Sequence, residues 1–401
     1  MKFTTMTATR TLLPSFAFVF GIAQAQTFSV FHNFSGGAGD GANPLNGLVA
    51  DKAGNIYGTG NQGGTYASGA VFKITAAGQE TVLYSFKGGS DGANPEGVLI
   101  LDKVGNLYGT TTGGGAFGAG TVFGVNAEGQ EMVLYSFKGG ADGMVPEAGL
   151  AWDPEQNLYG TTTGGGANGY GVVFKLSPPA QKGSAWTESV LYSFGAGTDG
   201  AVPVGGVAFD IAGNLYGTTS AGGTAGFGTV FELSPSGSGW TETILHDFQD
   251  LDDGAVPYAG LLFFKGNFYG GATEGGTAGG GTIYELSQVN KAWTFSVLYS
   301  VPGSGISGAF RDLAMDEAGT IYGTTHCDGA YSAGTVYELT RKGGSWTYDL
   351  LYTFTGGSDG LYSYSNLVLE SGGIYGTTNQ GGANGLGVVF QIVPDEVRFR
   401  R

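Results

Sequence analysis

Two glutamates follow prolines at equivalent points of the chain, in Pro95-Glu96 and Pro146-Glu147. Later equivalent positions carry aromatic residues, and one of these precedes Arg311-Asp312. A carboxyl pair can work as general acid and base, while aromatic rings opposite carboxylates suit a sugar or another amphipathic ligand. The plainer interpretation is that all of them are ordinary strand-end residues. We expect a ligand-binding site formed by Glu96, Glu147, Tyr258, Phe310, Arg311 and Tyr364.

A second recurring group is an aspartate followed by glycine or standing close to one. Asp-Gly is typical of a tight turn, and we expect that structural role. The alternative is a cation site, for which the best local case is Asp250, Asp252 and Asp253; calcium would be the ion, although a complete calcium-loop spacing is missing. We otherwise expect no cofactor. The repeated aspartates are Asp40, Asp91, Asp142, Asp199, Asp253 and Asp359.

The histidines and the cysteine favour no further site. His326 and Cys327 are adjacent, and a single His with a single Cys does not make a metal site. His32 and His246 occupy the tyrosine position of a repeated Leu-Tyr-Ser-Phe phrase, which predicts a structural role. No catalytic residue is therefore assigned from the sequence.

The elements that must position these residues are seven copies of one unit. The phrase Tyr-Gly-Thr-Thr or a variant recurs at intervals of 51, 51, 57, 53, 53 and 53 residues. A fixed period near fifty indicates a closed or stacked array of one supersecondary unit. The seven tyrosines are Tyr57, Tyr108, Tyr159, Tyr216, Tyr269, Tyr322 and Tyr375.

Each unit contains four short apolar or β-branched runs separated by turn residues, which predicts one four-stranded antiparallel propeller blade. The last unit lacks a fourth run, whereas an extra copy of that run, about residues 27–34, precedes the first unit. We therefore predict an all-β, seven-bladed β-propeller with four antiparallel strands per blade, in which the N-terminal strand closes the last blade. An open β-solenoid is the alternative.

The up-and-down order of strands predicts which loops share a face. The loop before the first strand and the loop between the second and third strands lie on one side, so the glycine-rich loops and the Asp-Gly elements gather there. The first strand of each blade lines the central channel in a propeller. The residues that follow the prolines are therefore expected to surround the channel mouth.

The N-terminal segment predicts export. A basic start, an apolar stretch over residues 12–23 and Ala23-Gln24-Ala25 are typical of a signal peptide cleaved after Ala25. We expect residues 1–25 to be this signal, 26–393 the propeller and 394–401 a short polar tail. The protein would then be secreted or periplasmic. The net charge of −16 argues against nucleic acid and anionic membranes as partners, and we expect no membrane insertion and a monomer.

The compound pattern resembles one known family. Gly213 to Thr219, Gly222 to Phe231 and Trp186 to Phe194 together resemble the GloVer (Gloeo/Verruco) tandem-repeat family of exported bacterial proteins. The resemblance covers about residues 28–393 and implies export, without implying a biochemical role. Members often carry a C-terminal sorting or anchoring segment, whereas this sequence ends in a short polar stretch.

Three classes of function remain open. We favour a non-catalytic binding scaffold that recognises a glycan or an extracellular protein through the loop-rich face and the channel mouth. The second class is a propeller-fold glycan hydrolase or lyase that uses Glu96 and Glu147. The third is a structural protein of the envelope or matrix. Whether the protein is an enzyme at all is left open, with binding preferred.

Overall fold

The computed structural model describes residues 26–181, 183–249, 252–303 and 311–394. They form seven four-stranded antiparallel sheets, as predicted, and two single 3₁₀ turns at Gly89–Asp91 and Gly140–Asp142. Within these residues no helix is long and apolar enough to cross a membrane. The predicted signal peptide and most of the predicted polar tail lie outside the described residues.

We number the blades 1 to 7 along the chain and give their strands from the channel outward. Blades 1 to 4 comprise Val49–Ala50, Ile56–Gly60, Ala70–Ile74 and Glu80–Ser85; Ile100–Leu101, Leu107–Gly113, Thr121–Val125 and Glu131–Ser136; Ala151–Trp152, Leu158–Thr162, Val172–Ser177 and Thr187–Ser193; Ala208–Phe209, Leu215–Thr219, Thr229–Ser236 and Gly239–Asp247.

Blades 5 to 7 follow the same plan. They comprise Leu262–Phe264, Asn267–Ala272, Gly279–Val289 and Ala292–Pro302; Ala314–Met315, Ile321–Thr325, Thr335–Lys342 and Ser345–Thr353; Val368–Glu370, Gly373–Thr378, Val388–Val393 and Thr27–Asn33. Short additional strands lie in the loops, at Gly41–Ala42, Gln62–Gly63, Ala93–Pro95, Gly200–Ala201 and Ala221–Gly222.

The N-terminal strand completes blade 7, as predicted. Thr27–Asn33 pairs antiparallel with Val388–Val393, from Thr27 opposite Val393 to Asn33 opposite Val388. Seven hydrophobic clusters join neighbouring blades, one at each junction. The cluster between blades 7 and 1 packs Phe34 and Phe72 against Tyr375. The array is therefore a closed ring, and the open solenoid is excluded.

The tyrosine and glycine of the repeated phrase have separate structural roles. The Tyr108 hydroxyl donates to Asp102 in the turn before its strand, at 3.3 Å. A Cβ atom on Gly109 would lie 2.8 Å from the ring of Phe123 and 2.8 Å from Leu99. The glycine thus makes room for an aromatic ring of its own blade. The close contact at Gly109 is therefore made by side chains of the same blade and not by the neighbouring blade.

The first threonine of the phrase links one blade to the next. The Thr110 hydroxyl of blade 2 donates to the carbonyl oxygen of Ala148 at the start of blade 3, at 3.0 Å. Blade 5 has Gly271 at this position and so lacks the donor. The segment opposite that gap is the one that carries Arg311, so the loss of the threonine and the irregular start of blade 6 occur together.

The repeated aspartates tie the outer strand to the loop that follows it. Asp91 accepts hydrogen bonds from the Tyr84 hydroxyl at 2.7 Å and from the Lys87 N–H at 2.7 Å. At two junctions a histidine replaces the tyrosine, and the bond is kept between His32 and Asp40 and between His246 and Asp253. The structure therefore gives these aspartates and both histidines the structural role expected from the sequence.

Candidate ligand-binding site at the channel mouth

The segments that lead into the first strands are held in place by bonds between blades. The residue before the proline position has a left-handed φ of 50° to 60° in six blades. Its N–H donates to the loop between the second and third strands of the preceding blade, as from Val145 to Ala119 O at 2.9 Å. Left-handed φ is unfavourable for β-branched residues such as Val145. The strain is therefore balanced by this bond, and the following residue has a defined position.

Glu147, Tyr258 and Arg311 line one cavity on the channel axis. The cavity has a volume of about 10 Å³, which is the space of roughly one water molecule. The channel is nearly closed at this level, whereas a second cavity of about 170 Å³ is lined by residues farther along the first strands, among them Ile100, Leu150 and Leu261. The remaining lining residues are Asn46, Val98, Ala148, Gly149, Val204, Gly205, Gly206, Asp312 and Asn366.

The channel is narrow at this level because blade 6 departs from the repeat. Its Arg311-Asp312 stands where other blades have small residues such as Gly205-Gly206. The carboxylate of Asp312 accepts a hydrogen bond from the Gly260 N–H of blade 5 at 2.6 Å. Burial raises the pKa of Asp312, while this bond and the charge of Arg311 act in the opposite direction. Glycines of the other blades, such as Gly149, Gly205 and Gly206, line the same cavity and leave space for the side chains of Arg311 and Asp312.

Glu96 and Glu147 share one electrostatic environment. Burial and, second, the negative charge of Glu147 raise the pKa of Glu96 to about 6. Burial also raises the pKa of Glu147. The charge of Arg311 opposes the rise in the pKa of both glutamates without cancelling it. Asn61 donates to Glu96 Oε1 at 2.9 Å. Glu147 and Arg311 line the same cavity, whereas Glu96 does not line it and interacts with them only through its charge.

Tyr364 is paired with a histidine that the sequence analysis set aside. The Tyr364 hydroxyl and His326 Nε2 lie 3.1 Å apart, at hydrogen-bond distance. The His326 ring packs on Tyr364 and Tyr362, with centroids 4.2 and 4.5 Å apart. Burial lowers the pKa of His326 to about 4, so the ring is neutral at physiological pH. Burial raises the pKa of the Tyr364 hydroxyl, and the charge of Arg311 acts in the opposite direction.

Three buried polar atoms of the cavity lining have no hydrogen-bond partner among the described residues. They are Asn46 Nδ2, Arg311 Nε and Asn366 Oδ1. Buried polar groups are usually paired, so these atoms are available to a polar group of a ligand or to water. The two asparagines were not singled out from the sequence, because each stands at a strand start that reads as a turn.

Four exposed aromatic side chains lie on the same face as the mouth. Each belongs to a glycine-rich loop between the second and third strands of its blade. They were not predicted as site residues, although a single aromatic residue among Gly, Ala, Ser and Asn in a loop could have indicated an exposed ring. Their exposed fractions are 54% for Tyr66, 61% for Phe117, 43% for Tyr170 and 63% for Tyr331.

Several predicted residues are not brought into this arrangement. Phe310 and Asp250 lie outside the described residues. Asp252 is exposed, and Asp253 accepts hydrogen bonds from His246 at 3.0 Å and from the Gln249 N–H at 3.1 Å. The calcium site at Asp250, Asp252 and Asp253 stays a prediction, as does the role of each mouth residue in binding.

Solved structures with a similar fold come from several functional classes. The extracellular domain of a protein described as a hybrid two component system from B. thetaiotaomicron is 10% identical, with a TM-score of 0.59 over 91% of this chain and 39% of that chain. This chain therefore spans well under half of that structure. A polysaccharide lyase of family PL25, an ulvan lyase bound to -[GlcA(1-4)Rha3S]-, is 11% identical, with a TM-score of 0.52 over 90% and 95% of the two chains. At these identities the likeness concerns the fold alone.

Sequence comparison identifies the repeat itself. No curated protein matches this sequence. The profile of the Gloeobacter/Verrucomicrobia repeat matches residues 6–210, 183–309 and 288–401. These matches together span nearly the whole chain, and the structure resolves the repeat into seven blades of one ring. The chain belongs to the Gloeobacter/Verrucomicrobia repeat family.

Proposed function

We propose that this protein is an exported, non-catalytic binding protein that recognises a glycan on its loop-rich face, across the channel mouth. The observation that carries the proposal is the set of four exposed aromatic side chains on that face, Tyr66, Phe117, Tyr170 and Tyr331. Exposed apolar groups that cluster on one face mark interaction sites. Aromatic rings offer sugars a flat apolar surface, and neighbouring polar groups orient them.

The mouth supplies the polar groups that a sugar requires. Glu147, Tyr258 and Arg311 can exchange hydrogen bonds with hydroxyl groups, and Asn46 adds a buried donor that has no partner among the described residues. Since the cavity beneath them has the volume of about one water molecule, the ligand would lie flat over the ring. An extended chain or a branched surface glycan fits this geometry better than a free monosaccharide.

Charge selects among glycans. The whole chain carries a net charge of −16, and the charge of Arg311 interacts with the two glutamates Glu96 and Glu147. A protein field of one sign repels ligands of the same sign. We therefore expect neutral or cationic glycans to bind better than sulfated or uronate-rich ones. The fold is shared with the extracellular domain of a two component system and with a sugar-bound lyase, which agrees with a glycan-related role, although the sugar bound to that lyase belongs to the anionic class that we expect to bind less well here.

A glycan array followed by calorimetry tests the proposal. The full mature chain should retain a defined set of glycans, and Phe117→Ser and Tyr331→Ser should each weaken binding roughly three- to tenfold. The matched control is Ile211→Ser, because Ile211 is 96% exposed in the turn on the opposite face. The proposal fails if no glycan is retained or if the control weakens binding equally.

The pKa of Glu96 favours a second candidate function. A carboxyl group whose pKa is raised to about 6 beside another carboxylate has the properties of a general acid. A glycan hydrolase or lyase could therefore use Glu96 as acid and Glu147 as base or nucleophile. Incubation of retained glycans with wild type and Glu96→Gln distinguishes the two functions. New chain ends that form only with wild type would support the enzyme, whereas binding without cleavage would exclude it for those glycans.

A further inference from the structure

The seven junctions between outer strands follow one rule. Each outer strand carries one tyrosine or histidine, which in most strands bonds to the loop aspartate. The side chain four residues earlier in the same strand lies against the corresponding tyrosine or histidine of the preceding blade. In three junctions this side chain is aromatic and stacks, as Phe295 does on His246 with centroids 3.6 Å apart. The other two are Tyr348 on Tyr299 and Phe28 on Tyr352. In the remaining four junctions it is a glutamate: Glu80, Glu131, Glu188 and Glu242.

Only one described junction combines such a glutamate with a histidine. It is the junction between blades 7 and 1, where Glu80 approaches His32 and Asp40. One donor atom from each of the three residues lies within 4.8 Å of the others. The other histidine of this kind, His246, faces the ring of Phe295. The closing junction therefore holds a set of metal-binding side chains that the repeat does not require.

We propose that His32, Asp40 and Glu80 bind one divalent transition-metal ion of the zinc class where the ring closes. Imidazole nitrogen together with carboxylate oxygens is a usual ligand set for zinc. Ligand atoms around a tetrahedral zinc ion lie roughly 3.3 Å apart, so the three donors need to approach one another only slightly. Calcium fits poorly, because it takes about six to eight oxygen ligands.

The surroundings of the three side chains prepare them for a metal. Asp40 Oδ2 accepts from the Ser35 N–H at 2.7 Å and from the Ser35 hydroxyl at 2.8 Å, which orients Asp40 Oδ1 toward His32 Nε2 at 3.1 Å. Hydrogen bonds that orient a ligand side chain in this way hold metal ligands in place. Glu80 Oε1 is buried and accepts no hydrogen bond from the described residues. Metal binding would satisfy that oxygen and replace the proton shared by His32 and Asp40.

A metal ion at this site would link the two blades at which the ring closes. His32 lies on the N-terminal strand Thr27–Asn33, whereas Glu80 lies on the outer strand of blade 1, Glu80–Ser85. A bound ion would therefore crosslink the two ends of the ring at their outer edge. Because a ligand that binds only the folded state stabilises it by mass action, the melting temperature should rise with the metal concentration.

Zinc titration of the full chain tests the proposal. Protein stripped with EDTA should bind one Zn²⁺ per chain in calorimetry, and its melting temperature should rise with added Zn²⁺. His32→Tyr restores the tyrosine of the other junctions, so it should fold, yet it should abolish the Zn²⁺-dependent rise. Glu80→Gln should weaken Zn²⁺ binding by at least about tenfold.

His246→Tyr is the matched control, because it makes the same exchange at a junction without the glutamate. It should keep both the Zn²⁺ stoichiometry and the Zn²⁺-dependent rise in melting temperature. The proposal is wrong if folded wild type binds no Zn²⁺, if His32→Tyr still shows the full rise, or if His246→Tyr loses it.

Discussion

The Thr377 hydroxyl of the last blade donates a 2.9 Å hydrogen bond to the carbonyl oxygen of Asn46 at the start of the first. The two residues are separated by 331 positions in the chain. The same bond joins Thr161 to Gly205 within the array at 3.0 Å. Ring closure thus uses the contact by which consecutive blades are joined, and it places Asn46 in the channel mouth.

Removing this hydroxyl tests how much the closing contact contributes. Thr377→Val keeps the side-chain shape and leaves the buried Asn46 carbonyl without its donor, so we expect a loss of about 1–3 kcal/mol in the free energy of unfolding. Denaturant titration measures the change. Thr161→Val serves as the comparison and should cost a similar amount; an unaltered midpoint for both variants would show that these hydroxyls contribute little.

Deletion of residues 26–35 should lower the melting temperature sharply. Blade 7 would lose its outer strand, and Val388–Val393 would become an exposed edge. A synthetic peptide of the deleted residues should restore part of the lost melting temperature when added in excess. A truncated protein that melts like wild type would contradict closure by the N-terminal strand.

Gly109→Ala should destabilise the protein by about 1–3 kcal/mol, because the added Cβ would meet the Phe123 ring at 2.8 Å. Thermal melts followed by circular dichroism would measure it. Gly39→Ala is the control, since no atom lies within 4 Å of a Cβ built at Gly39. If both substitutions cost the same, crowding by the ring is not the reason for the repeated glycine.

Stability should increase on mild acidification because of carboxyl pairs at the blade junctions. Burial and, second, the charge of Asp91 raise the pKa of Glu131 to about 7, whereas the charge of Lys87 acts against the rise. In the unfolded chain a glutamate titrates near about 4.3. Between the unfolded and the folded pKa, the folded protein therefore holds more protons than the unfolded chain. The stabilising effect of protonating Glu131 on the free energy of unfolding is complete at low pH and is lost as the pH rises through about 7. Glu188 beside Asp142 and Glu242 beside Asp199 behave alike.

Melting temperatures recorded across this range would check the pH dependence. Wild type should melt higher near about pH 5.5 than near about pH 8. Glu131→Gln should raise the melting temperature at the upper pH and flatten the profile, because glutamine resembles the protonated acid. Glu128→Gln, at an exposed position of the same blade, should leave the profile unaltered. A wild-type melting temperature that rises with pH over this range would refute the assignment.

The site was less predictable than the ring. The position after the proline led to Glu96, Glu147, Tyr258, Phe310 and Tyr364, because strand starts in a propeller must face the channel, and Arg311 was added as the charged neighbour of Phe310. It could not reveal that Arg311 narrows the channel at the mouth, since that depends on the residues contributed by other blades. Nor could it reveal the exposed aromatic loops, because exposure of a loop residue depends on how the neighbouring blade packs.

The repeat period, the fixed distance of 15 residues from Tyr108 to Phe123 and its equivalents, and the displaced copy of the outer strand were sufficient for the fold. They are local properties of one unit, and seven similar units leave few ways to bury their apolar faces. What the folded ring alone decided is which residues from distant repeats meet. His32 and Glu80 belong to different blades and share one cluster, and Glu147 and Arg311 belong to different blades and line one cavity; both arrangements depend on the angle between blades. That angle is set by side-chain packing around the whole ring, and it cannot be derived from any short stretch of the sequence.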